Sequence, residues 1–195
     1  MKKAIFLDRD GVINKLIYNP NTKEYESPHH RKDFELHHGA IESLNLLKKD
    51  FLLFLISNQP SYAKGKTSLE NIKSIHHKLH KLLMKNNIAF IEYFYCYHHP
   101  DGIVNEYSFE CECRKPNPFF LLHAKNKYTI DMKNSWFIGD QDTDIFCGQK
   151  ANLKTILIKN EKSEKKRGKS NPEFYADNLI EAVKIITGGF NELQD

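Results

Sequence analysis

Residues 3–12 read KAIFLDRDGV, and this stretch decides how the whole chain is interpreted. The apolar run from Lys3 to Leu7 is typical of a short buried strand. Residues two apart in an extended segment point the same way, so the carboxylates of Asp8 and Asp10 would lie on one face. A sharp turn at Gly11 would let the backbone approach a phosphate. One carboxylate could then attack phosphorus while the other donates a proton to the leaving oxygen and later activates water.

Strand-like and helix-like segments alternate along the rest of the 195 residues. Short apolar runs predict further strands over 51–56, 93–96, 136–138 and 155–158. Helical spacing and capping patterns predict helices over 39–49, from 67 onward, over 117–126 and over 143–150. Asp177 or Asn178 would cap a last helix that reaches about residue 187. This alternation favours βαβ units. We therefore predict an α/β fold of one domain over residues 1–195, a Rossmann-like three-layer sandwich in which a mainly parallel sheet carries helices on both faces. Residues 14–38 show no regular pattern.

Three polar motifs follow predicted strands, at 8–11, at Ser57-Asn58-Gln59 and at 139–144. Ligands of such sheets bind beyond the carboxyl ends of the strands, so we expect the motifs to form one crevice. The hydroxyl and amides of the second motif could hydrogen-bond phosphate oxygens. The carboxylates of the first and third suit Mg²⁺, which cancels charge between an anionic nucleophile and an anionic phosphate. Arg114 and Lys115 add two cations that suit a phosphate.

The composition predicts a water-soluble chain. Hydrophobic residues make up 40% and charged residues 28%, the mean hydropathy is −0.59, and the net charge is +4. No apolar run approaches the roughly 20 residues of a membrane helix, and the apolar segment after Met1 is too short for a signal peptide, so we expect a cytoplasmic location. The basic run 159–169 is expected to be a solvated, mobile loop. Because a nucleic-acid patch would need aromatic partners nearby, we predict neither a nucleic-acid nor a membrane partner.

Three of the four cysteines lie close together in the sequence. Cys96, Cys111 and Cys113, with either His98 or His99, could close a tetrahedral Zn²⁺ site. In a cytoplasmic chain such a cluster indicates metal rather than disulfides. Since protein side chains would fill all four positions, the zinc would be structural. It would also fix the loop that carries the cations at 114–115.

From Asp8 to Asp144 the motifs resemble, in kind and order, those of the haloacid dehalogenase superfamily of aspartate-nucleophile phosphatases. The resemblance implies that Asp8 is the nucleophile and Asp10 the general acid and base. It implies further functional residues: Ser57 and Lys115 to stabilise the transferring phosphoryl group, Asp8, the Asp10 backbone carbonyl and Asp140 to hold Mg²⁺, and Asp144 to orient that shell through water.

The run CYHHPDG at 96–102, followed by CECRKPNP at 111–118, resembles the subfamily of D-glycero-D-manno-heptose 1,7-bisphosphate 7-phosphatases. That resemblance implies His98 as the zinc ligand, Arg114 in substrate recognition and no substantial cap domain. It implies release of the 7-phosphate from a small phosphorylated sugar. The heptose 1-phosphate product would serve nucleotide-activated heptose in bacterial surface polysaccharide. A monomer is expected.

Three features depart from the subfamily pattern. Pro60 stands where a serine is usual, Gln141 stands where a lysine is usual, and the segment 14–25 is longer than usual. Pro60 removes a hydroxyl and a backbone donor. The alternatives are a histidinol-phosphate phosphatase, a polynucleotide end-phosphatase with the same aspartate chemistry, and, in another class, a zinc-stabilised nucleic-acid-binding module.

Overall fold

The computed structural model describes residues 1–188, which alternate between strands and helices from end to end. In chain order the elements are β1 (Ala4–Leu7), β2 (Ile17–Asn19), β3 (Glu24–Glu26), α1 (Ala40–Leu47), β4 (Leu52–Asn58), α2 (Leu69–Lys85), β5 (Glu92–Cys96), α3 (Phe119–Tyr128), β6 (Trp136–Gly139), α4 (Asp142–Lys150), β7 (Lys154–Ile158), β8 (Phe174–Ala176) and α5 (Leu179–Thr187). Four short 3-10 helices lie between them, the last over Glu161–Lys166.

Six of the strands form one parallel sheet in the order β5-β4-β1-β6-β7-β8. The strand β1 lies near its middle, and all four of its residues are buried. A parallel sheet is covered on both faces, so its inner strands are apolar throughout rather than alternating. This is why the runs AIFL and LLFLI read as continuous hydrophobic stretches.

Side chains of β1 point alternately into two separate cores. Ile5 and Leu7 pack with apolar residues of α1, α2 and α5. Ala4 and Phe6 pack with those of α3 and α4 on the opposite face. The Rossmann-like three-layer sandwich with helices on both faces is therefore confirmed, and no second folded domain covers the crevice within residues 1–188.

Several boundaries differ from the sequence prediction for local reasons. The helix α2 is capped by Ser68, whose Oγ accepts a hydrogen bond from the Asn71 amide at 3.2 Å, rather than by Thr67. The Thr67 hydroxyl instead donates to the carbonyl of His29 at 2.6 Å. The segment 14–38, left without a pattern, contains the β2-β3 hairpin, and β8 was not predicted at all.

The basic run 159–169 is solvated, as predicted, but it is not an irregular loop, because a 3-10 helix forms over Glu161–Lys166. Its lysines face solvent, but Ser163 is buried and donates from Oγ to the backbone carbonyl of Asp140 at 3.1 Å. The side-chain amide of Asn160 donates to the carbonyl of Gly11 at 3.0 Å. The run is therefore tied to the loops that follow β1 and β6.

The longest helix described is α2, with 17 residues and charged or polar side chains at many positions. Within residues 1–188, no helix has the length and apolar character needed to span a bilayer.

Candidate active site and zinc cluster

The carboxyl ends of three adjacent strands meet at one edge of the sheet, as the sequence predicts. Asp8 follows β1, Ser57 lies near the end of β4, and Asp140 follows β6. A cavity of about 250 Å³ opens at this edge. Its lining includes Asp8, Asp10, Asn58, Arg114, Lys115 and Asp144.

The ammonium group of Lys115 lies between two buried carboxylates. Its Nζ is 2.7 Å from Asp8 Oδ1 and 2.7 Å from Asp144 Oδ1, and it also donates to the carbonyl of Ile56 at 2.9 Å. Burial opposes the charge of Lys115, but the two carboxylates outweigh burial and raise its pKa. Lys115 therefore stays charged at the base of the cavity.

Asp8 is deprived of solvent, which makes its negative charge costly. Burial raises the pKa of Asp8 to about 7, with Lys115 opposing the rise and the nearby carboxylates of Asp144 and Asp10 adding to it. Among residues 1–188, Lys115 is the one cation in contact with the Asp8 carboxylate.

Asp140 lies beneath the cavity, fully buried, and neither of its carboxylate oxygens has a hydrogen-bond partner among residues 1–188. Burial first, and then the carboxylates of Asp8 and Asp144, raise its pKa well above the ordinary value. A buried carboxylate without partners is strongly destabilising. Ligand oxygens of the three aspartates lie within 4.8 Å of one another, and when all three are ionised, Lys115 balances one of their charges. This donor set fits a divalent, oxygen-preferring cation such as Mg²⁺.

Gly11 is required where the chain turns over this group. Its φ is +93°, and a Cβ built there would lie 2.1 Å from Asp140 Oδ2.

The loop after β6 is fixed in turn by Asp144, whose Oδ2 accepts from the backbone amides of Asp140 at 3.2 Å and Gln141 at 3.1 Å. The structure thus places Asp144 in contact with the loop that carries Asp140.

The second motif divides between the cavity and the interior. Asn58 lines the cavity and binds Lys115 through both of its amide atoms, accepting from its backbone N–H and donating to its carbonyl, each at 3.1 Å. The Ser57 hydroxyl accepts from Gln59 Nε2 at 2.9 Å. Ser57 is 2% exposed and is not part of the cavity lining, so its phosphate contact stays a prediction. Gln59 is only 1% exposed, and its amide is directed at Asp10 and Arg9. A phosphate contact from Gln59 stays a prediction.

The rim of the cavity contains residues that sequence analysis did not single out. Lys64, Lys66 and Lys166 supply cations, and Glu24 and Glu26 supply carboxylates. Burial opposes the charge of Glu26, but hydrogen bonds from Lys66 and from two hairpin side chains lower its pKa to about 2. The Glu26–Lys66 ion pair ties the β2-β3 hairpin to the loop after β4. The only sequence signal was the unusual length of the segment 14–25.

The other predicted metal site is assembled beside this cavity. Sγ of Cys111 lies 3.5 Å from that of Cys96 and 3.3 Å from that of Cys113. Nδ1 of His98 lies 3.8 Å from the Cys96 sulfur and 3.5 Å from the Cys113 sulfur. Tetrahedral ligands at about 2.3 Å from zinc are separated by about 3.8 Å, whereas a disulfide brings two sulfurs to about 2.05 Å. None of the four cysteines forms a disulfide. The three thiols of the cluster, together with His98, are therefore capable of holding a zinc ion.

The structure distinguishes the two histidines that spacing leaves open. His98 faces the thiols, whereas His99 lines the cavity and accepts from the Asp101 amide at Nδ1, 3.0 Å away. Arg114 donates to the carbonyl of His98 at 3.2 Å. The cluster is therefore linked to Arg114 in two ways: Cys113 precedes Arg114 in the sequence, and Arg114 hydrogen-bonds the backbone of His98.

We expect zinc to order the loop from 96 to 115. Metal analysis should find about one zinc per chain, and Cys113→Ser should lose most of it, because one of four ligands is gone. Phosphatase activity should fall with the zinc, since the cations at 114 and 115 follow directly. Cys147→Ser is the matched control: Cys147 is a buried residue of α4, outside the cluster, so this variant should keep the zinc. Equal zinc content in both variants would contradict the assignment.

The sheet order and the aspartates at its carboxyl edge define a phosphatase of the haloacid dehalogenase-like class. Residues 112–182 match the model of a hydrolase-like family described as HAD-hydrolase-like. A D,D-heptose 1,7-bisphosphate phosphatase from B. bronchiseptica, solved in complex with magnesium and phosphate, has the same fold, with a TM-score of 0.79 over 96% of this chain and 99% of that one at 22% identity.

Curated relatives give the narrower assignment. The D-glycero-beta-D-manno-heptose-1,7-bisphosphate 7-phosphatase of Pasteurella multocida is 33% identical over 96% of this chain and 98% of its own length. The D-glycero-alpha-D-manno-heptose-1,7-bisphosphate 7-phosphatase of Photorhabdus laumondii is 35% identical over 80% of this chain and 82% of its own. The chain belongs to the family of D-glycero-D-manno-heptose-1,7-bisphosphate 7-phosphatases.

Proposed function

We propose that this protein removes the 7-phosphate of D-glycero-D-manno-heptose 1,7-bisphosphate by way of a phosphorylated Asp8. The observation that carries the proposal is the grouping of Asp8, Asp140, Asp144 and Lys115 beneath one cavity, in a chain similar to named heptose bisphosphate phosphatases over nearly its full length. We propose one catalytic domain over residues 1–195, acting as a cytoplasmic monomer. The use of its heptose 1-phosphate product in polysaccharide synthesis is part of the same proposal.

In the first step a carboxylate oxygen of Asp8 attacks phosphorus, and the bond from phosphorus to the C7 oxygen breaks. Asp10 gives its proton to that leaving oxygen, so the sugar departs as a neutral alcohol. Lys115 Nζ, which lies 2.7 Å from Asp8 Oδ1, and the free hydroxyl proton of Ser57 stabilise the charge on the phosphoryl oxygens.

In the second step water hydrolyses the phosphorylated Asp8. Asp10, now a carboxylate, takes the proton from that water, and inorganic phosphate leaves. Asp8, the backbone carbonyl of Asp10, and Asp140 would hold Mg²⁺, which when bound offsets the charge repulsion between nucleophile and phosphate. Asp144 keeps the Asp140 loop in place.

The cations at the rim favour a leaving group that carries a charge of its own. Arg114 and Lys64 line the same cavity as Asp8, beyond what a single transferred phosphate requires. A bisphosphate gives these side chains a second anion to bind. The serine and glutamate side chains of the rim suit sugar hydroxyls. Since the relatives act on different anomers, the preferred anomer is decided by assay.

The test is phosphate release from both anomers of the heptose bisphosphate and from histidinol phosphate, at equal concentration and with Mg²⁺. The product should be the 1-phosphate, identified by its phosphorus NMR signal. Faster turnover of histidinol phosphate would overturn the proposal. So would hydrolysis at C1, which would leave heptose 7-phosphate as the product. DNA with a 3′-phosphate serves as a further substrate, and its rapid hydrolysis would indicate a polynucleotide end-phosphatase.

A further inference from the structure

Arg9, between the two aspartates of the first motif, is the largest fully buried side chain among residues 1–188. An isolated guanidinium in the interior strongly destabilises a fold unless its donors are paired. Nothing in the chemistry proposed above uses Arg9. Its burial beside the cavity therefore calls for a role of its own.

The partners of Arg9 converge on one carboxylate. Its Nε and Nη2 lie 3.2 and 3.1 Å from Asp10 Oδ1, and Nη2 lies 3.0 Å from Oδ2. Nη2 also donates to Gln59 Oε1 at 3.0 Å. Burial opposes the charge of Arg9, but the carboxylate of Asp10 outweighs it and raises the guanidinium pKa.

Two further donors reach the same carboxylate, while Nη1 of Arg9 has no partner among residues 1–188. Gln59 Nε2 donates to Asp10 Oδ2 at 2.6 Å, which closes a ring of contacts through Arg9. Asn14 Nδ2 donates to Oδ1 at 2.9 Å. We call Arg9, Asn14 and Gln59 the Asp10 clamp; Arg9 is its one charged member. All three are at most 1% exposed.

The clamp is itself held from behind. The ring of Tyr95 lies 5.7 Å from the guanidinium carbon of Arg9, and the Tyr95 hydroxyl is 3.0 Å from Nδ1 of His76 on α2. A planar guanidinium against a fixed aromatic ring has few orientations available. The position of Arg9 is therefore supported by β5 and α2, which lie outside the cavity.

We propose that Arg9 is a positioning residue for the reaction: through the clamp it fixes the orientation of the Asp10 carboxyl group at the edge of the cavity. This inference rests on the proposed function, in which Asp10 is the acid. Proton transfer requires the donor to lie within about 3 Å of the leaving oxygen with good alignment. A lysine offers a point charge without the fork that grips both carboxylate oxygens.

The test compares two leaving groups in Arg9→Lys. An alkyl leaving oxygen, as in the heptose bisphosphate, needs the proton of Asp10, whereas the phenolate of p-nitrophenyl phosphate departs without it. We expect kcat/KM to fall about 10²-fold for the sugar phosphate and by less than about threefold for the aryl phosphate. Because kcat/KM reports the steps up to phosphorylation of Asp8, the later use of Asp10 as a base does not enter. Where a variant is too slow for steady-state assays, its rate is measured in single-turnover experiments with enzyme in excess over substrate.

The controls separate this inference from the function on which it rests. Asp10→Asn should show the same dependence on the leaving group; if it does not, the acid role of Asp10 is wrong. If Asp10→Asn shows it and Arg9→Lys lowers both substrates alike, or neither, the positioning role of Arg9 is wrong. The exposed Arg31 supplies a matched control, since Arg31→Lys should change neither value. Should Arg9→Lys fail to fold, Asn14→Ser serves instead, because it removes a neutral donor from Asp10 Oδ1. If the ratio of kcat/KM for the sugar phosphate to that for the aryl phosphate were unchanged in Asn14→Ser, the clamp would be overturned.

Discussion

Replacing Asp8 with asparagine should lower phosphate release by at least about 10³-fold, because an amide cannot form the covalent bond to phosphorus. The same change should raise the stability of the protein in buffer without Mg²⁺. Asp8, Asp140 and Asp144 are buried together, and in the described part of the chain Lys115 is the one cation paired with them. Removing one of the three negative charges relieves repulsion that the fold otherwise tolerates.

The pH dependence of that gain follows from the pKa of Asp8. Burial raises this pKa from 3.8 to about 7 in the folded protein, so folding favours the protonated form. As pH rises from about 4 to about 7, the unfolded chain releases this proton before the folded one does, and the wild type loses stability. The advantage of Asp8→Asn should therefore be full above pH 7, at about 1 kcal/mol or more, and vanish as pH falls toward 4.

Urea unfolding across this pH range, together with phosphate release at pH 7.5, measures both effects. Asp50→Asn on the exposed surface is the matched control and should change neither. Added Mg²⁺ should stabilise the wild type more than Asp8→Asn, because the variant offers one carboxylate fewer. Wild-type turnover in the variant would rule out Asp8 as the nucleophile. Equal stability of the two proteins without Mg²⁺ would refute the repulsion argument.

Much of the fold could be read from local signals. Apolar runs of strand length alternating with helical spacing predicted every strand of the sheet except β8, whose three residues include two exposed aromatics. Such a short edge strand has no periodicity to detect. The hairpin over Ile17–Glu26 was missed for a related reason, since pairing across a turn, not an apolar face, defines it.

The candidate site was predictable where chemistry depends on residue type at a strand end. The parallel sheet brings Asp8, Ser57 and Asp140 to one edge, as any such sheet would. The roles of Gln59 and Ser163 were not predictable, because both depend on which way a side chain turns in three dimensions. Gln59 contacts Asp10 inside the fold, and Ser163 binds the Asp140 carbonyl from a run that reads as solvated.

The fourth zinc ligand likewise could not be chosen from the spacing of the residues alone. Spacing allowed His98 or His99 as the fourth zinc ligand, and the family resemblance favoured His98. The structure shows why His98 is the ligand: His99 turns into the cavity, while His98 faces the thiols. The phosphatase family accounts for the chain better than a zinc-stabilised nucleic-acid module, because the zinc cluster adjoins the aspartate site.

Lys115→Met should be the most destabilising single change in the site. Methionine has nearly the same length, so packing is largely kept, but Asp8 and Asp144 each lose an ion pair of 2.7 Å. Breaking a buried pair by removing one partner costs about 3–5 kcal/mol, since the remaining charge is left uncompensated. Activity should fall about 10²- to 10³-fold, because a fixed cation beside the transferring phosphoryl group is lost.

The metal dependence of this variant separates the two roles of Lys115. If Lys115 acts as counter-charge, Mg²⁺ should restore more of the stability in Lys115→Met than it adds to the wild type, while activity stays low. Urea unfolding with and without Mg²⁺ at pH 7.5 measures this, and Lys125→Met on the exposed face of α3 is the matched control. Stability equal to that of the control without Mg²⁺ would show that the three aspartates do not depend on Lys115. Recovery of activity together with stability would instead show that Lys115 serves only to hold the carboxylates in place.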